Sequence, residues 1–293
     1  MNIFVIIVLY NPTEEDLQHT KYVAEIEAGF IIDNSEKASL PNKIGKMNYI
    51  CNKKNLGIAE AQNMALQKII SEDSESYVVF FDQDSRFIST YAKDIVAEYI
   101  KIKNEIPNLG LLGPTVLNKE TGKEYKSAFH NDAENINNFI PRRDVISSGS
   151  CVDIDTLKKV GLNDSALFID FVDFEWCWRA QKLGFICGIT ANICIEHKVG
   201  SNEISIGNHH VIISSPIREY YSYRNYQWLV RRNYVPLQWK IAQGVKQFLR
   251  FLYFPFVVKN GRKHCKYMIL GFKDGILSRQ KLHNENRSIS NTL

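Results

Sequence analysis

Tyr77-Val78-Val79-Phe80-Phe81-Asp82-Gln83-Asp84 sets a run of apolar, strand-forming residues directly against two carboxylates. An uninterrupted apolar run of this length reads as a strand buried on both faces, the kind found at the centre of a parallel sheet covered by helices. Open α/β sheets bind ligands outside the carboxyl ends of their strands, so a hard cation and a diphosphate could meet at Asp82 and Asp84. The same two aspartates also make an ordinary turn, and the D-x-D pattern by itself does not separate the readings.

The flanking sequence repeats the theme. Ile3 to Tyr10 reads as a first strand, and Asn11-Pro12-Thr13-Glu14 as a helix start with Asn11 as N-cap, Pro12 at the first helical position and Glu14 placed for a capping box. Gly29 to Ile32 is a second strand ending at Asp33-Asn34. Tyr49 to Asn52 is a third, followed by Asn55-Leu56-Gly57 and a helix whose Ile58, Ala61, Ala65, Leu66 and Ile69 keep the helical period. Leu109 to Val116 adds a strand, and Asp144 to Val152 brings a Ser147-Ser148-Gly149-Ser150 turn to the sheet. Strands alternating with helices predict an α/β domain with a mostly parallel sheet. No G-x-G-x-x-G follows the first strand and no Walker A loop occurs, which disfavours a dinucleotide fold and a P-loop nucleotidase.

The 293 residues allow one large domain with an appendage. Charge draws the line between them. Residues 1–215 carry 21 Lys and Arg against 29 Asp and Glu, net −8, whereas residues 216–293 carry 15 against 3, net +12. We therefore expect an α/β domain over 1–215 and a basic, aromatic helical region over 216–293. Six cysteines, at 51, 151, 177, 187, 194 and 265, form no close pair and read as reduced core residues. The apolar start lacks a basic region and a cleavage site, so a buried strand and a cytoplasmic protein are expected. Gln247 to Val258 is strongly apolar but shorter than a membrane span and interrupted by Arg250 and Pro255. Rings interspersed with Lys246, Arg250, Lys259, Arg262, Lys263 and Lys266 suit an anionic membrane surface, peripherally bound on the inner face. Packing of the same rings onto the domain is the alternative. A nucleic-acid partner is not expected.

Six segments occur in a telling order: VLYNP (8–12), IIDNSE (31–36), NKKNLGIAEAQN (52–63), FFDQDS (80–85), SSGS (147–150) and LFIDFVDFEWCWRA (167–180). Together they resemble family 2 inverting glycosyltransferases of the GT-A fold, and the last resembles bacterial rhamnosyltransferases. The resemblance implies a GT-A Rossmann-like sheet, a nucleoside diphosphate sugar as donor, dTDP-L-rhamnose by likeness, and Mn²⁺ or Mg²⁺. The acceptor would be a hydroxyl of an oligosaccharide or lipid-linked glycan in cell-surface polysaccharide synthesis.

Residue by residue, it implies that Tyr10 and Asn11 flank the nucleotide, that Asp33 accepts from the pyrimidine ring, and that Asn55 and Gly57 line the same pocket. Asp82 would lie near ribose and metal, and Asp84 would ligate the metal. His197, followed by x-x-Gly, would complete that site, and an imidazole would favour manganese somewhat. Arg218 and Arg224, with Asn225, would meet the diphosphate, against the alternative of a solvated helix face. Asp173 would be the general base. Where the family commonly carries Glu-Asp, this chain has Val172-Asp173, which keeps Asp170 as a second candidate. Asp170 and Asp173 can equally be the N-cap and N3 of a helix, while Glu175 can pair with Arg179 at i,i+4. A nucleotidyltransferase would need a Gly- and Arg-rich loop after the first strand, which is missing; an inactive sugar-nucleotide or glycan-binding protein would keep the fold without needing the carboxylates.

Overall fold

A computed structural model describes residues 2–72, 75–118, 124, 138–197, 203–206 and 209–278. Contacts divide the chain into a sheet unit, Met1–Phe168 with Val172–Lys198, and a helical unit, Ile169–Phe171 with Val199–Leu293.

The sheet unit runs β1 (Asn2–Leu9), α1 (Glu14–Ile26), β2 (Ala28–Asp33), β3 (Lys43–Ile44), β4 (Met47–Cys51), α2 (Ile58–Glu72), β5 (Ser76–Asp82), α3 (Tyr91–Glu105), β6 (Leu109–Asn118), β7 (Phe139–Pro141), β8 (Cys151–Asp153), α4 (Ile154–Val160), α5 (Val172–Lys182) and β9 (Ile186–His197). Its nine strands lie in the order β3-β4-β2-β1-β5-β8-β6-β9-β7. β4, β2, β1 and β5 are parallel; β8 reverses direction between β5 and β6, and β6 and β9 are again parallel. The mixed sheet with helices on both faces and a helical C-terminal region agrees with the Rossmann-like GT-A architecture expected from the sequence.

Alternation along the strands decides which helices cover which face. Val5, Ile7 and Leu9 of β1 point with Val79 and Phe81 of β5 into a core closed by Val23 of α1 and Tyr91, Ile95 and Tyr99 of α3. Ile6 points the other way, with Phe30, Ile32, Val78 and Phe80, onto Ala61, Ala65, Leu66 and Ile69 of α2 and Trp176 and Ala180 of α5. Both faces of β1 and β5 are dry, which is why the Tyr77–Phe81 run carries no polar alternation.

Two helix starts differ from expectation. α1 is capped by Thr13, not Asn11: the Thr13 hydroxyl accepts from Asp16 N–H at 3.2 Å, and the Asp16 carboxylate accepts from Thr13 N–H at 2.9 Å. Asn11 does not serve because it stands in the turn after β1 at φ +46°, outside the extended conformation of an N-cap, with its N–H given to Ser35 Oγ at 2.8 Å. α5 begins at Val172, so Asp170 is not its cap; Asp170 and Phe171 stand at φ +61° and +67°, a backbone region that costs non-glycine residues strain.

The helical unit contains the hairpin β10 (Glu203–Ile206) and β11 (His209–Ile212), then α6 (Pro216–Leu229), α7 (Leu237–Val257) and α8 (Gly261–Leu277). α8 turns Gly261, His264, Met268, Gly271 and Gly275 inward at helical spacing. A Cβ on Gly271 would stand 2.2 Å from the Tyr220 carbonyl oxygen, so the missing side chain lets α6 and α8 meet backbone to backbone. Tyr223, Phe254, Val258 and Met268 form the small core beneath.

Candidate active site

β2 and β5 flank β1 in parallel, so successive strands are added on opposite sides of β1, the kind of switch point at whose carboxyl end open α/β sheets bind ligands. Side chains tie the three strand ends together. Tyr10 N–H donates to Gln83 Oε1 at 2.8 Å, and Asn11 N–H to Ser35 Oγ. Asp33, the last residue of β2, is buried; its Oδ2 accepts from Tyr49 Oη at 2.6 Å and its Oδ1 from Ser35 N–H at 2.8 Å. Burial, reinforced by the Asp33 carboxylate, pushes the Tyr49 phenol above its ordinary range, so it stays a donor and holds Asp33 in one orientation. Each Asp33 oxygen keeps a second lone pair for a ligand N–H.

Asn55 and Gly57 stand at the mouth of α2. Asn55 is exposed and its side-chain oxygen accepts from Gly57 N–H at 2.9 Å, while Asn34 Nδ2 donates to the Gly57 carbonyl at 3.0 Å. Gly57 has φ +84°, and a Cβ there would lie 2.5 Å from the Phe168 carbonyl oxygen and 2.7 Å from its ring. The close approach this glycine permits is therefore to Phe168, whose carbonyl also receives Ile58 N–H at 2.8 Å.

Asp82 closes β5, half-buried, and its carbonyl accepts from Ser85 N–H in a tight turn that leaves Asp84 exposed. Ser85 Oγ meets Ser148 Oγ at 2.8 Å, which fastens this turn to the 147–150 segment. That segment reaches Asp173, the second residue of α5. Ser147 N–H donates to Asp173 Oδ2 at 3.3 Å and Phe174 N–H to Asp173 Oδ1 at 2.9 Å. Burial pushes the Asp173 carboxyl up to about 7; the two backbone N–H groups pull it down, and the charges of Asp82 and Asp144 push it up further. Burial likewise raises Asp144 to about 6 against the pull of Arg142 and Arg143. Asp82 and Asp144 thus both lie within electrostatic reach of Asp173. Asp144, Gln83 and the Ser147 N–H were not recognisable from sequence as parts of the site, because Asp144 reads as the start of a strand and the serines as a turn.

His197 ends β9 opposite Asn118, and its side chain lies outside the described residues. Among the described residues no three His, Cys, Asp or Glu side chains are grouped to hold an ion. Two carboxylates suffice for a cation that takes its other ligands from water and substrate phosphates, as Mg²⁺ does. Asp82 and Asp84 supply that number of carboxylates, two residues apart in the turn after β5, and the charge of Asp82 that pushes Asp173 up is of the kind a cation offsets.

Asp170, Arg218, Arg224 and Asn225 belong to the helical unit. Arg218 Nε donates to Asp170 Oδ1 at 2.8 Å, while Asp170 Oδ2 is buried without a hydrogen-bond partner. Burial raises the Asp170 carboxyl although Arg218, Arg250 and Lys246 oppose it. Buried Asn225 donates to the carbonyls of Ile169 and Asp170 at 2.7 and 3.1 Å, which holds the left-handed segment in place. Arg224 lies 4.2 Å from the Trp228 ring and 4.8 Å from that of Tyr221. Glu175 takes the structural role expected of it, with its two oxygens 3.0 and 3.1 Å from Arg179.

No family model matches the chain. It is 30% identical over 290 residues to the dTDP-rhamnosyl transferase RfbF of Shigella flexneri, spanning 94% of this chain and 95% of that protein. Among solved structures, residues 1–349 of S. aureus TarS in complex with UDP-GlcNAc superpose with a TM-score of 0.51 at 15% identity, over 94% of this chain and 81% of that 1–349 chain. GalNAc-T7 with UDP, GalNAc and Mn²⁺ gives 0.50 at 13%, over 99% and 57%. The two structures speak for the fold. Identity to RfbF along nearly the whole of both chains, on a sheet whose strand ends gather these polar residues, places this protein among the sugar-nucleotide-dependent glycosyltransferases.

Proposed function

We propose that the protein transfers L-rhamnose from dTDP-L-rhamnose, with inversion, to a hydroxyl of an oligosaccharide or lipid-linked glycan during cell-surface polysaccharide synthesis. The donor sugar is taken from the likeness to RfbF. The observation that carries the chemistry is Asp173, whose two oxygens accept the backbone N–H groups of Ser147 at 3.3 Å and Phe174 at 2.9 Å while burial raises its carboxyl to about 7. A base whose pKa lies near the working pH best combines being ionised with the drive to take a proton.

In this reading Asp173 accepts the proton of the acceptor hydroxyl as its oxygen bonds to the anomeric carbon. The bond from that carbon to the diphosphate oxygen breaks on the opposite face, and the nucleoside diphosphate leaves with the electron pair. The transition state is oxocarbenium-like. Asp33 fixes the pyrimidine, Tyr10, Asn11, Asn55 and Gly57 line the nucleotide pocket, and Asp82 and Asp84, with His197, hold Mn²⁺ or Mg²⁺. Such an ion supplies charge to the leaving diphosphate. Because no described helix is long and apolar enough to cross a membrane, a lipid-linked acceptor would be met from the surface.

A panel of nucleotide sugars tests the reading, scored by donor hydrolysis and thermal stabilisation with each ion, since a ligand that binds the folded state raises apparent stability. Stabilisation by dTDP-L-rhamnose above UDP-sugars is expected. Equal indifference to every donor would remove the enzymatic reading and leave a sugar-binding or inactive relative.

A further inference from the structure

α7 is amphipathic with its faces exchanged. Its inward side carries Gln243 and Gln247 between Trp239 and Phe254, whereas Ile241, Val245, Phe248, Leu249, Leu252 and Phe256 lie outward with 50 to 88% of their surface exposed. Their spacing of 4, 3, 1, 3 and 4 residues confines them to one stripe about 100° wide. No charged residue falls within it. An apolar stripe this long, about 20 Å at 1.5 Å per residue, exceeds the scattered exposed side chains of an ordinary surface.

α8 presents a complementary mixture. Arg262, Lys266, Ile269 and Lys273 share one exposed side at spacings of 4, 3 and 4, with Leu270 and Leu277 at its margin. The two helices meet in a groove of about 350 Å³ lined by Pro255 of α7 and by Arg262, Cys265, Lys266, Ile269 and Leu270 of α8. Its lining is almost wholly apolar, and Arg262 and Lys266 are the cations among its residues. Residues 237–277 hold eight Lys and Arg and one acid, Asp274; of the eight, Arg250 pairs with Glu219 of α6 at 3.5 Å.

We propose that α7 and α8 form a docking face for an anionic lipid bilayer, in which the α7 stripe enters the boundary between headgroups and acyl chains and Arg262 and Lys266 hold a lipid phosphate above the groove. The partner follows from the chemistry: one surface offers both hydrocarbon and negative charge in bulk, and amphipathic helices with basic flanks bind there. A second copy is a poorer occupant, because a symmetric contact through this face would bring the exposed Arg262, Lys266 and Lys273 of α8 against their own copies. Residues 279–293 offer only Leu282, Ile289 and Leu293 as aliphatics, too few to cover the stripe. The inference deepens the lipid-linked acceptor reading and rests on it for its biological purpose.

The test is cosedimentation of the full chain with vesicles of phosphatidylcholine alone or mixed with phosphatidylglycerol, alongside donor hydrolysis and oligomeric state without lipid. Binding to the mixed vesicles only is expected. Phe248→Ser with Leu252→Ser, which leaves every charge in place, and Arg262→Glu with Lys266→Glu, which leaves the stripe, should each lower partitioning at least about tenfold. All four positions are exposed, so hydrolysis should persist in both variants. Equal binding to neutral vesicles, no binding to either kind, or undiminished binding by the serine variant would overturn the proposal. So would lipid-free self-association abolished by the serine variant together with absent vesicle binding, which would give the face to a second copy. A wild-type chain that binds vesicles yet hydrolyses no donor would instead sink the transferase reading and spare this one.

Discussion

In the sheet unit β1 buries Val5, Ile6, Ile7 and Leu9 and ends on exposed Tyr10 and Asn11; in the helical unit α7 buries Gln243 and Gln247 and leaves Phe248, Leu252 and Phe256 outside. The first arrangement is what folding alone demands, since burying apolar surface stabilises each strand and polar residues collect at the ends where ligands bind. The second costs apolar exposure without a folding return inside the chain, and so points to something outside it. Two carboxyls repeat the contrast three residues apart. Asp173 receives backbone N–H groups in the sheet unit, whereas Asp170 is held by Arg218 in the helical unit.

Substitutions two residues apart on α7 test the first half of this comparison. Phe254 is fully buried against Tyr223, Val258 and Met268, so Phe254→Ala should cost about 3–5 kcal/mol by the usual toll of a vacated aromatic site. Phe256 is 88% exposed, and Phe256→Ala should stay within about 0.5 kcal/mol. Urea titrations of both variants measure this. A large loss at Phe256 would mean that the outward stripe is structural after all.

The carboxyls come next in size. Asp173→Asn should bind donor normally and lose transfer at least about a hundredfold, the lower range for a removed general base. Asp170→Asn should lose less, because its pairing with Arg218 gives it a positioning duty. The reverse order in single-turnover assays would move the base to Asp170. A smaller effect is expected at the cation: Asp84→Asn, or chelation by EDTA, should weaken donor affinity about tenfold or more, since even outer partners of a bound metal are worth that much. Calorimetry that finds affinity unchanged in EDTA would remove the cation from the proposal.

Much of the sheet was legible because burial on both faces leaves a plain mark: the Tyr77–Phe81 run, the polar strand ends and the 3.6-residue period of α2 each follow from one physical rule. Local chemistry was harder. Asn11-Pro12 has the composition of a helix cap, yet the capping box formed at Thr13 and Asp16 because Asn11 was taken by β1's turn and by Ser35. Asp144 carries no local signal, since its proximity to Asp173 arises only when the 147–150 turn is fastened to Ser85. Gly57 announced a close approach but not its partner. The exchanged faces of α7 could not be read from the sequence either, because periodicity marks an apolar stripe without saying which way it turns.

The smallest expected effect bears on the acid cluster itself. The Asp173 carboxyl sits near 7, so it is largely protonated at pH 6 and becomes a competent base only as pH rises through that value. The acid limb of kcat/KM for the donor, which reports groups of the free enzyme, should therefore lie above the ordinary carboxylate range, approaching pH 7 as the cation is withheld. Asp144, raised to about 6, is mostly ionised at that point and opposes ionisation of Asp173. Asp144→Asn deletes the opposing charge, which lowers the Asp173 pKa and moves the limb toward acid by up to about one pH unit, equivalent to about 1.4 kcal/mol of interaction. Burial is the larger cause of the shift and the substitution leaves it in place, so the limb should not return to 4. Because Asp144→Asn leaves the Asp173 carboxyl itself intact, kcat on the alkaline plateau should change little. A limb that stays at its wild-type position would show that Asp144 is screened from Asp173 in solution, and a limb near 4 in the wild type would withdraw Asp173 as the tuned base.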